Sequence, residues 1–152
     1  MELAAAIQQR EALRQAGRTL VLTNGHFDLL HVGHLDYLEK ARALGDALFV
    51  AVNDDAATRR LKGPGRPIVP VVERVRLLAA LKPVTAAFSF EGDTAAAVLE
   101  ALQPDIYVKG GDYAHKLLPE REAVERYGGQ VVLIDYLPDH STSALIQKIS
   151  QL

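Results

Sequence analysis

The sequence contains no cysteine. Disulfides, thiolate nucleophiles and zinc sites with cysteine ligands are therefore excluded within this chain. No apolar run approaches the roughly 18 residues that a membrane-spanning helix needs, and residues 1–17 lack the apolar core of a signal peptide. The formal net charge is only −2, so bulk electrostatics favour neither nucleic acid nor an anionic membrane as a partner. We expect a cytoplasmic protein that binds neither.

Two common phosphate-binding fingerprints are also missing. The chain has no G-x-x-x-x-G-K-[ST] loop and no G-x-G-x-x-G turn, which excludes the P-loop and the usual dinucleotide-binding pattern. It has no G-x-S-x-G nucleophile elbow either. Any phosphate chemistry must therefore come from a different arrangement of residues.

The residues that are present indicate one folded domain built on a parallel sheet. A length of 152 residues suits a single domain, and a 49% share of hydrophobic residues allows a substantial core. Short apolar runs alternate with segments of helical spacing, as expected for a parallel sheet covered by helices on both faces. We predict strands at 20–22, 48–52, 85–90, 106–108 and 131–134. We predict helices at 1–17, 32–44, 54–61, 71–81, 93–102, 119–127 and 142–149, and a loop at 62–70.

The histidines follow the ends of the predicted strands. In doubly wound folds, ligands bind beyond the carboxyl ends of the strands, near a topological switch point. The segments after strand ends are 24–34, 53–55, 109–115 and 135–143. Three of them hold all five histidines, which are His26, His31, His34, His115 and His140. The sequence therefore predicts that one rim of the sheet carries every imidazole.

The segment His31-Val32-Gly33-His34 is the most informative of these. It lies where a loop becomes a helix N-terminus, which presents unpaired N–H groups and a partial positive charge and so attracts phosphate. Gly33 would let a ligand approach the backbone, and two imidazole donors would suit a phosphate whose charge grows during a reaction. The alternatives are a pair of surface or helix-capping histidines, or two zinc ligands. The zinc alternative lacks a third ligand at the usual spacing.

Residues 23–34 read Thr-Asn-Gly-His-Phe-Asp-Leu-Leu-His-Val-Gly-His. This stretch resembles the signature of the cytidylyltransferase-like nucleotidyltransferases. Further matches at 52–55, 61–67, 73–74, 108–113 and 141–143 extend the likeness from about residue 19 to residue 149. The segments Lys-Gly-Pro-Gly-Arg-Pro and Lys-Gly-Gly-Asp-Tyr favour the D-glycero-β-D-manno-heptose 1-phosphate adenylyltransferases within that group. The resemblance implies a Rossmann-like α/β domain over 1–152, with an N-terminal helix at 1–17 and a catalytic core at 19–149.

The resemblance also implies a reaction. A substrate phosphate attacks the α-phosphorus of a nucleoside triphosphate and pyrophosphate leaves, so the enzyme needs no general base and must instead align the reactants and stabilise charge. Mg²⁺ would arrive bound to the triphosphate, with no site made of protein ligands. The implied partners are ATP, a phosphorylated small-molecule acceptor and a second copy of the chain. A separate sugar kinase is expected as well, because the heptose branch often fuses this domain to a kinase.

Roles follow from the resemblance position by position. Catalysis is expected from His31, His34 and Lys62. Nucleotide binding is expected from Gly25, Phe27, Gly33, Arg74, Asp112, Ser141, Thr142 and Ser143. Acceptor binding is expected from Asn24, Asp28, Arg66 and Lys109.

Ordinary structural roles compete with several of these assignments. Phe27 could be core packing, and Asp28 could cap a turn. Arg66 could be a solvated loop charge, and Arg74 could form a surface ion pair. Ser141 could be a plain helix N-cap.

Two departures from the family pattern bear on the substrate. His26 stands where the family often has cysteine, so it either touches the acceptor or is a tolerated substitution. The family more often has threonine at the position of Ser143, and residues 137–140 lack the upstream arginine of glycerol-phosphate cytidylyltransferases. The leading interpretation is an ADP-heptose-forming enzyme. The alternatives are the same chemistry with CTP and glycerol 3-phosphate or with ATP and flavin mononucleotide, and a nucleotide-binding regulator without turnover.

Overall fold

The computed structural model describes residues 1–111 and 118–152. Helices and strands alternate through most of the chain, as predicted. In chain order the elements are α1 (Leu3–Gln15), β1 (Leu20–Gly25), α2 (Val32–Arg42), β2 (Ala47–Asn53), α3 (Asp55–Lys62), α4 (Val71–Ala79), β3 (Ala86–Phe90), α5 (Ala96–Leu102), β4 (Ile106–Gly110), α6 (Pro119–Arg126), β5 (Gln130–Ile134) and α7 (Thr142–Ser150).

The five strands form one parallel sheet in the order β3-β2-β1-β4-β5. This confirms the predicted doubly wound, Rossmann-like fold class. The chain winds outward from β1 to β3 and then crosses back to place β4 on the other side of β1. The switch point therefore lies between β1 and β4, and the crevice beyond their carboxyl ends is where such a fold binds ligands.

Two apolar layers cover the sheet. On one face α1, α5 and α6 pack over Phe49, Phe88 and Tyr107, all fully buried. On the other face α2 and α4 bring Leu38 and Leu78 against the remaining strand residues. Complete burial of side chains this large contributes roughly 1.5–3 kcal/mol each. Every residue of β2 is buried, as expected for a central parallel strand.

Some element bounds differ from the prediction. Helix α5 begins at Ala96 rather than at 93 and has no side-chain cap, and the Asp93 carboxylate pairs with Arg60 at 2.8 Å. Lys62 is the last residue of α3 rather than the first of the loop, and the chain turns at Gly63, whose φ of 98° suits glycine.

Over the described residues, no helix combines the length and the apolar character that crossing a membrane requires.

Candidate functional site

A cavity of about 430 Å³ opens at the switch point between β1 and β4. The start of α2, the end of α3 and the start of α7 contribute to its walls. All predicted site residues in the described part of the chain line it except Arg74. Asp112 lies outside the described residues, as does His115. The other four histidines share this one cavity, as the position of the strand ends predicted.

The two histidines of the motif cap helix α2. The Gly33 N–H donates to Nδ1 of His31 over 3.1 Å, and the His31 N–H donates to Nδ1 of His34 over 3.3 Å. The two ring centroids lie 4.0 Å apart. Both rings are therefore fixed by backbone groups of the turn that they cap. The capping contacts use only Nδ1 of each ring, so they are compatible with the phosphate role expected from the sequence.

This capping decides where each ring carries its proton. A nitrogen that accepts a hydrogen bond has no proton, so the neutral rings of His31 and His34 carry theirs on Nε2. Burial, with a smaller contribution from the His31 ring, lowers the pKa of His34 from 6.5 to about 4. Burial and then the charge of His140 lower the pKa of His31. At neutral pH the pair presents two Nε2–H donors.

Gly33 is required by this geometry. A Cβ at this position would lie 2.8 Å from Cε1 and 2.9 Å from Nδ1 of His31, and 3.0 Å from Cβ of His140. Any larger residue would therefore displace the capping ring of His31 or the chain at His140. Gly25 is similarly close to an aromatic ring, since its Cβ would lie 3.0 Å from Cε2 of Phe27.

Phe27 is largely buried and belongs to the core, while its ring lies 5.5 Å from that of His34 between centroids. Its backbone has φ of 49°, a left-handed conformation that non-glycine residues rarely adopt. The next residue, Asp28, is buried. Phe27 therefore supports the His34 ring from the core side of the cavity as well as lining it.

Asp28 anchors the loop after α3. Its carboxylate accepts hydrogen bonds from Nε of Arg66 at 3.0 Å and from the N–H groups of Ile68 and Val69 at 2.9 Å each. Burial alone would raise the pKa of Asp28, but these three hydrogen bonds outweigh it and lower the pKa below its usual value. The side chains of Asp28 and Arg66 thus hold the loop against the histidine turn, and both still line the cavity.

Arg74, which we predicted to bind nucleotide, is not among the residues that line the cavity. Its side chain is fully buried away from the cavity and donates to the carbonyls of His26, Asn53 and Val69 and to the Asp55 carboxylate at 2.8 Å. A buried guanidinium needs partners for its donors. These partners accept from the N–H groups with which Arg74 would otherwise contact a phosphate. Arg74 instead ties the ends of β1 and β2 to the start of α4.

The Ser141-Thr142-Ser143 segment begins α7 at the cavity. The Ser141 hydroxyl accepts from the Ala144 N–H at 3.0 Å as a helix N-cap, and the Thr142 hydroxyl donates to the Leu29 carbonyl at 3.1 Å. Two of the three predicted hydroxyl ligands therefore have structural partners. The segment can still offer phosphate the Ser143 hydroxyl and the free N–H groups of the first helical turn.

Asn24 and Lys109 lie at the ends of the two central strands. The Asn24 amide oxygen accepts from the Tyr107 hydroxyl, so its NH₂ group remains as a donor for the cavity. Burial lowers the pKa of Lys109, and the negative charge of Glu120 partly opposes the shift. Both side chains line the cavity, and their roles in acceptor binding stay predictions.

Several residues that line the cavity were not predicted from the sequence, among them Glu120 and Tyr136. Oε2 of Glu120 is buried and has no hydrogen-bond partner among the described residues. Tyr136 lies over Gly110, where a Cβ would come within 2.5 Å of its ring. Tyr136 follows β5, so it could have been found from the rule that ligands bind beyond the carboxyl ends of the strands, called here the strand-end rule. Nothing in the sequence distinguished Glu120, on helix α6, from a solvated glutamate.

The described part of the chain contains no group of three histidine, aspartate or glutamate side chains that could hold a metal ion. The cavity is instead rich in groups that donate hydrogen bonds. It combines imidazole N–H, ammonium, amide and backbone N–H donors at the start of two helices. Such an arrangement suits a phosphorylated ligand.

Residues 22–148 match the family model described as cytidylyltransferase-like. The bifunctional protein HldE of Syntrophotalea carbinolica is 46% identical over 156 residues, which cover 98% of this chain and 32% of that protein. The bifunctional protein HldE of Alkalilimnicola ehrlichii is 52% identical over 136 residues, which cover 90% of this chain and 28% of that protein. The chain thus spans about a third of the length of these curated relatives.

The fold has a counterpart among solved structures. A lipopolysaccharide core biosynthesis protein from Thermoplasma volcanium superposes with a TM-score of 0.65 at 28% sequence identity, covering 79% of this chain and 97% of that one. The likeness therefore extends to nearly all of that protein.

Proposed function

This chain belongs to the cytidylyltransferase-like family, and we propose that it transfers the AMP part of ATP to D-glycero-β-D-manno-heptose 1-phosphate, giving ADP-heptose and pyrophosphate. The observation that carries the proposal is the pair of Nε2–H donors of His31 and His34, fixed at the N-terminus of α2 beside the switch point. This is where a doubly wound fold binds ligands and where a helix attracts phosphate.

The chemistry requires alignment and charge stabilisation. The acceptor phosphate is already an anion, so it attacks the α-phosphorus without a base. Negative charge then grows on the α-phosphate oxygens and on the leaving pyrophosphate. His31 and His34 donate to these oxygens from fixed positions, and fixed donors cost no reorganisation when the charge develops. Lys62, at the end of α3 on the cavity wall, adds a positive charge for the phosphates.

Mg²⁺ is part of the proposal as an ion bound to the triphosphate. The cavity is rich in hydrogen-bond donors, and an ion of this kind reaches such a site on the phosphate oxygens of its ligand. When bound, Mg²⁺ supplies neutralisation of phosphate charge. The chain's own contribution is to hold the phosphates with imidazole and backbone N–H donors.

The acceptor assignment rests on the relatives and on the cavity's charges. Arg66 and Lys109 line the cavity together with Lys62, and these positive charges suit a phosphorylated acceptor. Two relatives are bifunctional proteins named HldE, and the structural relative is named for lipopolysaccharide core biosynthesis, which favours a sugar phosphate. A sugar kinase that supplies the acceptor, a homodimeric assembly and a cytoplasmic setting complete the proposal.

One experiment tests this function. The protein is incubated with Mg²⁺ and each of ATP, CTP, GTP and UTP, against heptose 1-phosphate, glycerol 3-phosphate and flavin mononucleotide, and pyrophosphate release is followed. The proposal predicts release with ATP and heptose 1-phosphate. Pyrophosphate release with CTP and glycerol 3-phosphate instead, or with ATP and flavin mononucleotide instead, would show that the proposed pair of substrates is wrong. Nucleotide binding without any release would indicate a regulator.

A further inference from the structure

The hydrogen bonds around His26 determine which of its ring nitrogens carries a proton. Nδ1 of His26 lies 2.8 Å from Oγ1 of Thr58, and the same hydroxyl donates to the Asp54 carbonyl at 2.9 Å. A threonine hydroxyl has one proton, and here that proton is directed at Asp54. Oγ1 can therefore only accept from the ring, so Nδ1 of His26 carries the proton.

The neutral ring then presents an unprotonated Nε2. Burial, and then the charges of Lys62, Arg74, Lys109 and Arg66, lower the pKa of His26 to about 4, so the ring is neutral at pH 7. No described residue donates a hydrogen bond to its Nε2. His26 is thus the opposite tautomer of His31 and His34, whose Nδ1 atoms accept and whose Nε2 atoms donate.

The unprotonated Nε2 of His26 can pair only with a ligand group that donates a hydrogen bond. An ionised phosphate oxygen has no proton to donate and would be repelled by the Nε2 lone pair. A hydroxyl group can donate to it. The positive charges that act on His26 are those of Lys62, Arg74, Lys109 and Arg66, and two of these residues, Arg66 and Lys109, are expected to bind the acceptor. The charge that acts on His31 is instead that of His140.

We propose that His26 accepts, through Nε2, a hydrogen bond from a hydroxyl of the sugar phosphate acceptor, and that it thereby helps to select a hydroxylated acceptor. This inference rests on the proposed function, because it names a substrate contact in the same cavity. Thr58 is a positioning residue in this account. Its buried hydroxyl fixes the proton on Nδ1 and so leaves Nε2 free to accept.

The first test needs no substrate. Nitrogen-15 NMR of the ring nitrogens distinguishes a protonated nitrogen from an unprotonated one. We expect the His26 proton on Nδ1 and those of His31 and His34 on Nε2. Thr58→Val should abolish the preference at His26, and Thr58→Ser, which keeps the hydroxyl, should retain it. A proton on Nε2 of His26, or a preference that survives Thr58→Val, would overturn the inference.

The second test measures turnover with ATP and heptose 1-phosphate. His26→Asn keeps an N–H donor for Thr58 but removes the acceptor at the Nε2 position, whereas His26→Gln offers an amide oxygen near that position. Loss of one hydrogen bond should raise the KM for the sugar phosphate about tenfold in His26→Asn, with the KM for ATP unchanged and partial recovery in His26→Gln.

The outcomes separate the two proposals. If the wild-type chain does not turn over heptose 1-phosphate, the proposed function fails. If it does and His26→Asn leaves both KM values unchanged, the inference about His26 fails alone. A rise confined to the KM for ATP would place the hydroxyl on the nucleotide and would also overturn the inference.

Discussion

The carboxylate of Asp28 and the guanidinium of Arg66 form an ion pair across 38 positions of sequence, with Nε 3.0 Å from Oδ2. Only 2% of the Asp28 side chain and 18% of the Arg66 side chain are exposed. The same carboxylate binds the backbone at Ile68 and Val69. One buried acid therefore joins the histidine turn after β1 to the loop after Lys62, and the two walls of the cavity hold each other in place.

Replacing that acid should loosen both walls. Asp28→Asn keeps the size of the side chain but loses the charge and one acceptor, leaving buried donors of the loop unpaired. We expect a loss of roughly 2 kcal/mol or more in the free energy of unfolding, measured by denaturant titration, together with a higher KM for the acceptor. Asp46→Asn is the control, because Asp46 also accepts from a backbone N–H, that of Thr19, but on the exposed surface. Equal, small effects of both substitutions would mean that Asp28 does not anchor the loop.

Gly33 should matter more for turnover than for stability. In Gly33→Ala the higher helix propensity of alanine contributes up to about 1 kcal/mol, while displacement of the His31 ring loses a cap of about the same size. The melting temperature should thus move by no more than about 4 °C. Turnover should fall at least about tenfold because the ring leaves its position. Val32→Ala, at the exposed neighbouring residue, should leave turnover unchanged, and a normal rate for Gly33→Ala would contradict the geometry.

His34 should act through its donor and not only through its cap. His34→Ala loses both the Nε2–H and the Nδ1 acceptor, whereas His34→Asn retains an acceptor for the His31 N–H. We expect both variants to slow turnover by about 10² or more, but only the alanine variant to lose about 1 kcal/mol of stability. Steady-state kinetics and thermal melts measure the two effects. Near-normal turnover of His34→Asn would restrict His34 to capping.

Stability should fall as the solution is acidified below the ordinary pKa of histidine. The folded chain holds His26 and His34 with pKa values of about 4, whereas the unfolded chain titrates near 6.5. Between these values the unfolded state binds more protons, so stability is fully present above pH 6.5 and is lost as the pH falls towards 4. The free energy of unfolding, measured by denaturant titration at several pH values in this window, should depend less steeply on pH in His34→Asn than in the wild-type chain. The same pH dependence of stability in both proteins would show that His34 is not buried in its neutral form.

The sequence was sufficient for the parts of the fold that depend on local patterns. The uninterrupted apolar run of β2 predicted a central strand buried on both faces, and the alternation of elements predicted the parallel sheet. The strand-end rule placed His31, His34 and Lys109 at one rim without knowledge of the strand order. These features could be predicted because burial and chain direction are periodic properties that the sequence displays directly.

The remaining features depend on contacts between distant segments. Arg74 could be taken for a cavity or surface residue because a fully buried guanidinium is rare unless partners surround it. Its partners come from four separate segments, which are the turn after β1, the end of β2, the start of α3 and the loop before α4. The pairing of His26 with Thr58 is likewise invisible in sequence, since it joins the end of β1 to the middle of α3. Asp93 matched a helix-capping pattern, but its carboxylate pairs with Arg60, 33 positions earlier in the chain.

A crystal structure with a non-hydrolysable ATP analogue and heptose 1-phosphate would test the central claim most directly. The account predicts α-phosphate oxygens within hydrogen-bonding distance of Nε2 of His31 and His34, with the phosphates at the N-terminus of α2. Phosphates bound elsewhere, with both rings turned away from them, would contradict it.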